Sequence, residues 1–395
     1  MKKKIPDDWK PLKYEDVLDY IQPTKYIVSS TEYSNSYKTP VLTAGKSFII
    51  GYTNEKDGIF DKLPVIIFDD FTTATKFVNF PFKVKSSAMK ILVPKSSEVN
   101  IKFIYYLMQT IHVTNDTHKR YWISVYAKLK LYLPSIDAQN SIVAKIEELL
   151  SELDNGIAQL KTAQQQLKTY RQAVLKYAFE GRLTNDNVKD GELPKGWKWV
   201  KIADVAEVGT GATPLKGNTE YYGGNIPWVT SGALNDDFVK EATDYVTTKA
   251  LKETNLTVYP KHTLLVAMYG EGKTRGKCSE LLIDACTNQA IAAINFDKHD
   301  NKVKPYLKYF LLKNYNDIRK LSSGGVQPNL NLGIIKKTFF PFPTIKEQEQ
   351  IVNEIERRLS VADKLEETIT TSLQQSESLR QSILKKAFEG KLVRE

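Results

Sequence analysis

The sequence predicts an α/β (α+β) chain in which two mixed α/β bodies follow one another in tandem, each ending in a long helix. Three observations predict this class. Residues 133–184 match residues 342–393 without a gap, and 22 of the 52 aligned positions are identical. Each copy carries apolar residues at steps of three and four, as a helix seam does. The stretches ahead of the copies are rich in turn residues and contain short β-branched runs, which are typical of strands.

The repeated segments predict two helices of about 40 residues, which would be roughly 60 Å long at ~1.5 Å per residue. The apolar stripe begins at Ile142 in the first copy and at Ile351 in the second. A proline stands ahead of each helix and a glycine follows it, at positions suited to a helix start and stop: Pro134, Pro343, Gly181 and Gly390. Because both stripes need covering, we expect the helices to pair as an antiparallel coiled coil with pseudo-twofold symmetry.

A shorter repeat lies ahead of each body and fixes the organisation of the chain. Residues 5–10, IPDDWK, correspond to residues 193–198, LPKGWK, whereas the bodies at about 20–132 and 209–341 show little resemblance to each other. The repeats predict a first domain at 1–133, its helix at 134–184, a second domain at 185–342 and a second helix at 343–395. The chain thus combines a constant frame with divergent bodies.

Short apolar runs predict the strands of the two bodies. The candidate buried strands are Val65–Phe68, Ala88–Val93, Thr263–Ala267 and Ala290–Ile294. Leu129, Leu131 and Leu133 alternate with polar residues, which is the pattern of a half-buried strand. We therefore expect mixed α/β bodies with long polar loops between these strands.

Composition narrows the class of partner. The 395 residues include 56 Lys and Arg against 46 Asp and Glu, which gives a net charge of +10 and favours a polyanionic partner. No apolar run approaches the ~20 residues of a membrane helix, and no apolar run follows the basic N-terminus. We expect a cytoplasmic protein without a membrane partner. The two cysteines, Cys278 and Cys286, match no zinc spacing, and a disulfide framework is not expected.

Three motifs resemble catalytic or cofactor-binding loops, and each one fails. YGEGKTRGK at 269–277 ends like a nucleotide-binding P-loop, but Ala267 stands where its first glycine belongs and no helical pattern follows. NFPF at 79–82 lacks the first proline of a DNA amino-methyltransferase motif, and GTGATP at 209–214 lacks the third glycine of a dinucleotide loop. No catalytic set is discernible, so the sequence predicts a chain that is not an enzyme and binds no cofactor or metal itself.

The candidate DNA-binding residues fall in polar loops that follow predicted strands or precede the long helices. The loop at 269–277 is basic and rich in glycine, which suits phosphate contact, and 117–124 combines cations with aromatics. SSGGVQPNLN at 322–331 offers amides, which can bind adenine edges. Ordinary solvated loops are the alternative for all three. The candidates are Lys76, Lys119, Arg120, Tyr121, Tyr269, Lys273, Thr274, Arg275, Lys277, Ser323, Gln327 and Asn329.

At this point the residues suggest a family. The alternation of variable bodies and repeated helices resembles the specificity subunit of type I restriction–modification systems. The motifs that carry the resemblance are LPKGW at 193–197, the Gly-x-Thr-Pro element at Gly211–Pro214, FPFPTIKEQEQIV at 340–352, and the paired helix endings AFEGRL and AFEGKL. The first helix departs slightly, with Asp137-Ala138 where the second has Lys346-Glu347. The resemblance covers essentially the whole chain.

The resemblance implies a non-catalytic reader of double-stranded DNA. Each body would be a target recognition domain for one half of a split, asymmetric site, and the helices would set the spacing and dock two copies of a modification subunit. That assembly would methylate adenine with S-adenosylmethionine, and added restriction/translocase subunits would use ATP and Mg. The main alternative is a structural coiled-coil protein whose bodies bind protein partners. A stand-alone methyltransferase is disfavoured because the cofactor loop is missing.

Overall fold

A computed structural model describes residues 5–43, 47–111, 120–185, 187–189, 191–270, 273–321 and 329–393. The chain divides into two compact units. Unit 1 comprises Met1–Thr162 and Ile369–Glu395, and unit 2 comprises Ala163–Thr368. Each unit therefore contains one body together with a segment of each long helix. The division runs through both helices and so differs from the boundaries between bodies and helices that the repeats suggest.

Unit 1 is built on mainly antiparallel strands from distant parts of the first body, with one parallel pair. A four-stranded sheet has the order β2-β8-β5-β6, a three-stranded sheet has the order β4-β3-β7, and β1 pairs with β9. Strands 65–68 and 88–93 were predicted from sequence, and they are β5 and β8, neighbours in the larger sheet. The strands are β1 (Lys10–Lys13), β2 (Leu18–Ile21), β3 (Thr39–Leu42), β4 (Ile49–Thr53), β5 (Val65–Asp69), β6 (Thr75–Val78), β7 (Lys83–Val84), β8 (Met89–Pro94) and β9 (Lys130–Leu133).

The helices of unit 1 close its core. They are α1 (Tyr14–Val17), α2 (Ile101–Met108), α3 (Tyr121–Ser124) and the first part of α4 (Ile136–Phe179). The core also includes the last turns of α9 (Ile345–Ala387), because Ile383 and Leu384 pack with Ile142 and Ile146. The ring of Phe388 lies 5.2 Å from that of Phe103. The start of one long helix and the end of the other thus belong to one hydrophobic core.

Unit 2 repeats the strand order of unit 1 and adds strands. Its larger sheet has the order β11-β19-β16-β17-β13 and its second sheet the order β14-β12-β18-β15, while β10 pairs with β20. The strands are β10 (Lys198–Lys201), β11 (Glu207–Thr210), β12 (Tyr222–Val229), β13 (Phe238–Val239), β14 (Asp244–Val246), β15 (Val258–Tyr259), β16 (Leu264–Ala267), β17 (Cys278–Leu281), β18 (Ala285–Thr287), β19 (Ile291–Asn295) and β20 (Phe339–Phe342). The helices are α5 (Ile202–Val205), α6 (Thr248–Glu253), α7 (Val303–Lys320) and α8 (Leu332–Lys337), with parts of α4 and α9.

The two bodies share one topology despite their different sequences. The order β2-β8-β5-β6 corresponds to β11-β19-β16-β17, with β13 as an added fifth strand. In the second sheets, β3 pairs in parallel with β7 and antiparallel with β4, as β12 does with β18 and β14. The turn between β5 and β6 therefore corresponds to the loop between β16 and β17. This correspondence cannot be found by matching the two body sequences, and it locates equivalent loops.

The long helices begin and end as the sequence predicts. They contain 44 residues in α4 and 43 in α9. Near each start a buried glutamine donates to a proline carbonyl, from Gln139 to Pro134 over 2.9 Å and from Gln348 to Pro343 over 3.1 Å. Each helix stops at a glycine with a positive φ, 77° at Gly181 and 68° at Gly390, a conformation that disfavours other residues.

Within each unit the segments of the two helices run in opposite directions. In unit 2, Arg171 of α4 pairs with Asp363 of α9 over 2.7 Å and with Glu366 over 2.9 Å. In unit 1, Arg380 pairs with Asp154. Late residues of one helix thus meet early residues of the other, which confirms antiparallel pairing. The two arginine–aspartate pairs join equivalent repeat positions, since 171 corresponds to 380 and 154 to 363. Being half exposed, they fix direction more than stability.

Candidate nucleic-acid interface

The same short frame closes the base of each body. β1 pairs antiparallel with β9, and β10 pairs with β20 in the same register. The backbone N–H of Tyr14 donates to Leu129 O over 3.2 Å, and that of Ile202 donates to Thr338 O over 3.1 Å. These residues are equivalent in the two repeats. The frame is therefore constant down to single hydrogen bonds, while the loops of the two bodies differ.

In the second body, the predicted basic loop follows β16. Tyr269 and Lys273 are exposed, whereas Thr274, Arg275 and Lys277 are half-buried. Residues 271 and 272 lie outside the described residues. The three cationic side chains of this loop therefore differ in solvent exposure, and Lys273 is the most exposed of them.

The end of α7 holds the backbone of this loop. The Tyr315 hydroxyl donates to Lys273 O over 2.7 Å, and Arg319 Nη1 donates to Arg275 O over 2.6 Å. Lys277 Nζ donates to Asn235 Oδ1 over 3.0 Å. At Gly276, φ is +86° and an added Cβ would lie 3.1 Å from Arg319 Cγ, so glycine allows this close approach. The backbone at Lys273–Lys277 is thus supported by a helix.

A buried carboxylate anchors α7 to the sheet beneath the loop. Glu280 on β17 accepts hydrogen bonds from Lys304 and Lys308 of α7, both over 3.1 Å, and lies 3.0 Å from His262 Nδ1. Burial alone would raise the pKa of Glu280. The hydrogen bonds from Lys308, His262 and Lys304 outweigh burial and hold the pKa of that carboxyl below its ordinary value. The carboxylate stays ionised at neutral pH and fixes the helix that supports the loop.

The structure brings the third predicted stretch beside this loop. The backbone N–H of Leu330 donates to Met268 O over 3.0 Å, so Asn329 lies next to the chain that leads into Tyr269. Asn329 is half-buried. The predicted Ser323 and Gln327 lie outside the described residues. Two segments that are 60 residues apart in sequence therefore form one surface.

The first body presents the corresponding pair of segments. The backbone N–H of Tyr121 donates to Asp70 O over 3.0 Å, and that of Trp122 donates to Asp70 Oδ1 over 2.8 Å. Tyr121 and Asp70 thereby occupy the places of Leu330 and Met268. Arg120, which corresponds to Asn329, is exposed, as is Lys76 on β6. Lys119 lies outside the described residues.

Tyr121 requires a correction. The sequence suggested a ring available for stacking on DNA, but the side chain is 4% exposed and packs in the hydrophobic core of unit 1. It precedes Trp122, which is also buried, and the two anchor the segment that carries Arg120. Sequence reasoning instead passed over Phe71 and Ile123, which are 46% and 49% exposed on the two segments that Asp70 joins. Exposure of an isolated apolar residue has no sequence signal.

The two cysteines of the chain are buried. Burial raises the pKa of the Cys278 thiol to about 12 and that of Cys286 to about 11, so neither is a thiolate at neutral pH. Among the residues that the structure describes, no group of His, Cys, Asp and Glu could hold a metal ion. None of the described helices has the length and apolar character that crossing a membrane requires.

Comparison with known protein families identifies the family that has this arrangement of bodies and helices. The family described as the type I restriction modification DNA specificity domain matches the chain twice, over residues 6–168 and 194–375. Each match begins at a leading segment and ends within a long helix. The chain therefore belongs to the family of type I restriction–modification specificity subunits, which are the non-catalytic members of these systems. This finding confirms the resemblance seen in the sequence.

Individual relatives agree with this assignment. The chain is 31% identical over 390 residues to the type I restriction enzyme EcoR124I/EcoR124II specificity subunit of Escherichia coli, covering 95% of this chain and 91% of that protein. It is 23% identical to the EcoDI specificity subunit of Escherichia coli, covering 98% and 90%.

Two solved structures share the fold. One, reported for the complex assembly and conformational transition of the type I R-M system, has a TM-score of 0.73 at 18% identity and covers 98% of this chain and 99% of that one. The HsdS subunit from Thermoanaerobacter tengcongensis has a TM-score of 0.62 at 18% identity, with 98% of each chain covered. The predicted fold class is thereby confirmed.

Proposed function

We propose that this specificity subunit reads a split, asymmetric DNA target, with one half-site contacted by each body. The observation that carries the proposal is the constant frame around two different loop surfaces. Unit 1 presents Arg120 where unit 2 presents Asn329, so equivalent positions carry different base-contacting chemistry. A guanidinium favours guanine and an amide favours adenine. Two such surfaces in one chain read two different sequences, and the target is therefore asymmetric.

The loop at 269–277 supplies the contacts of the second half-site in this proposal. Lys273 and Lys277 are point charges suited to phosphate, whereas arginine can also grip a guanine edge through two parallel hydrogen bonds. Support from α7 holds the backbone of Lys273 and Arg275, which limits the ordering entropy that DNA binding would otherwise cost there. The helices α4 and α9, being continuous, set the spacing between the half-sites.

Two copies of a modification subunit dock on repeated surfaces of α4 and α9. Gln172 and Lys176 are identical in the repeat to Gln381 and Lys385, and all four are exposed. Burial in the core therefore does not explain why these residues are identical in the two repeats. A partner that binds once to each repeat does explain it. In unit 2, Gln172 and Lys176 border a cavity of about 680 Å³ that also contains the exposed ring of Trp199.

The chemistry of this cavity favours a protein segment that combines an apolar anchor with acidic residues. Five cationic and three acidic side chains are among the described residues that line it. S-adenosylmethionine, ATP and Mg would be bound by the modification and restriction/translocase subunits rather than by this chain. The complete assembly would act in the cytoplasm.

Binding titrations test the DNA contacts of the second body. We expect Lys273→Ala and Lys277→Ala to weaken binding to all sequences and to lower the salt slope by about one each. The effect of Lys277→Ala should be the smaller, because its ammonium also bonds Asn235. Arg275→Ala should relax selectivity by ~1–3 kcal/mol at one base pair of the second half-site. The measurement is a titration of duplexes varied at each half-site over a range of salt.

The first half-site is the internal control of this experiment, because a different body contacts it. Its selectivity should not change in any of the three variants. If all three variants bind DNA as wild type does, the loop is an ordinary solvent-exposed turn that does not contact DNA. Absence of any specific, salt-dependent duplex binding by the chain assembled with its modification subunit would favour the alternative, a coiled-coil protein whose bodies bind other proteins.

A further inference from the structure

The shared topology gives Phe71 an equivalent in the second body. Asp70 N donates to Ala88 O over 3.2 Å, and Met268 N donates to Ala290 O over 2.8 Å, at the same point of the matching sheets. The next residue in each chain is an exposed aromatic, Phe71 at 46% and Tyr269 at 39%. An exposed aromatic at the start of this hairpin loop is thus common to both bodies, although their sequences diverge.

Phe71 is displayed on a turn that the surrounding side chains hold in place. Asp69 Oδ1 accepts hydrogen bonds from the backbone N–H groups of Phe71 and Thr72, over 2.8 and 3.1 Å. Thr73 has a φ of +62°, which is uncommon for a β-branched residue and is maintained by its surroundings. This is an ordered turn with an apolar side chain exposed to solvent.

A buried ion pair supports the same turn from below. Lys90 Nζ lies 3.7 Å from Asp70 Oδ2, and both side chains are at most 5% exposed. Asp70 also bonds the backbone of Tyr121 and Trp122, which places the turn beside the segment that carries Arg120. Both carboxylates of the turn are thus buried and engaged, whereas the neighbouring Arg120 and Lys76 are exposed. The exposed Phe71 ring therefore lies on a surface with cationic side chains. Such a surface favours a polyanionic partner over an uncharged, apolar one.

We propose that Phe71 is a base-contacting residue of the first half-site and that it packs against the C5-methyl group of a thymine in the major groove. The inference rests on the proposed function, because it assigns a residue to the first body's DNA surface. A phenylalanine ring can neither donate nor accept a conventional hydrogen bond, and the thymine methyl is the apolar feature that the major groove offers. Tyr269 at the equivalent place adds a hydroxyl, so the two bodies differ in chemistry at this position.

Single thymine-to-deoxyuridine replacements across the first half-site test the assignment, using the chain assembled with its modification subunit. Removing the contacted methyl should weaken wild-type binding about fourfold, the effect of one buried methyl group. Phe71→Ala should weaken binding to the thymine duplex by at least that factor and should show no further loss with deoxyuridine. Phe71→Tyr, which keeps the ring, should retain the dependence on the methyl. Ile49→Ala, at another exposed apolar position of unit 1, is the control and should bind as wild type does.

Several outcomes would overturn the assignment. They are a first half-site without thymine, equal binding of thymine and deoxyuridine duplexes at every position, and the same methyl dependence in Phe71→Ala as in wild type. Loss of the modification subunit from the Phe71→Ala complex would make the ring a protein contact instead. Specific binding by wild type with no effect of Phe71 rejects this inference alone, whereas no specific binding by wild type rejects the proposed function and this inference with it.

Discussion

At the scale of single residues, Glu280 is the charge on which the support of the second loop depends. Its carboxylate joins β17 to α7 through Lys304 and Lys308, whose side chains are only 17% and 14% exposed. The ammonium of Lys308 also lies 3.8 Å from the ring centre of Phe238. Because these lysines are largely buried, removing the carboxylate leaves two poorly solvated cations close together.

We expect Glu280→Gln to lower the free energy of unfolding of unit 2 by about 2 kcal/mol at pH 7. The pKa of Glu280 is lowered in the folded protein. The stability that its ionisation contributes is therefore complete above the unfolded carboxyl value near 4.3 and is lost as pH falls through the lower folded pKa. Urea unfolding of wild type and variant at pH 7 and at several values below pH 5 measures both effects.

The difference between the two proteins should narrow at acidic pH. Glu241→Gln, at an exposed acidic position of the same unit, serves as the control and should unfold nearly as wild type does. A stability difference that stays constant down to pH 3 would show that packing rather than charge accounts for the effect of Glu280→Gln.

At the scale of elements, the two long helices are matched to each other. Arg171 with Asp363 and Arg380 with Asp154 join equivalent repeat positions, each pair within its own unit. A change in length of one helix alone would shift the pairing register on one side of the insertion, whereas equal insertions in both helices preserve it. Seven residues preserve the heptad spacing of a coiled-coil seam.

We expect seven-residue helical insertions after both Gln164 and Leu373, which are equivalent in the repeat, to lengthen the helices by ~10 Å. The bases read in each half-site should stay the same, and the spacer between them should grow by about three base pairs. Methylome sequencing of cells that express the altered subunit measures both. Insertion after Gln164 alone should abolish modification through mismatched helices. Full modification with an unchanged spacer would show that the helices do not set the spacing.

At the scale of the whole molecule, the proposed function assigns one docking surface for a modification subunit to each repeat. We expect Lys176→Glu to remove one modification subunit from the assembly, Lys385→Glu to remove the other, and the double variant to retain neither. The physical reason is that each substitution reverses an exposed charge on a surface that, in the proposed function, contacts one modification subunit. Native mass spectrometry of the purified assemblies counts the subunits.

Lys168→Glu provides the matched control, because the equivalent position of α9 is already Glu377. It reverses a charge on the same helix at a position that the repeat does not preserve, and both modification subunits should remain bound. If each single variant lost both subunits or neither, the two surfaces would not act as independent, equivalent sites.

The sequence by itself determined the frame of this protein. The helix seams, the proline starts and the glycine stops follow from local periodicity and backbone preference, so a long helix could be placed within 134–184 and another within 343–395 before any tertiary contact was known. The same holds for β5, β16 and β19, whose apolar runs are continuous because both faces are buried, and for β8, whose run is interrupted only by the buried Lys90. The family followed from the repeated motifs, which are contiguous in sequence.

Only the tertiary structure decided which loop residues share a surface. The common strand order of the bodies, the placing of Asn329 beside Tyr269, and the burial of Tyr121 all depend on hydrogen bonds and packing between separate segments of the chain. An aromatic residue in a polar stretch gives the same sequence pattern whether its ring packs in the core or faces solvent. The segment of Tyr121 is held by Asp70, which accepts hydrogen bonds from the backbone N–H groups of Tyr121 and Trp122 although it lies far from them in the sequence.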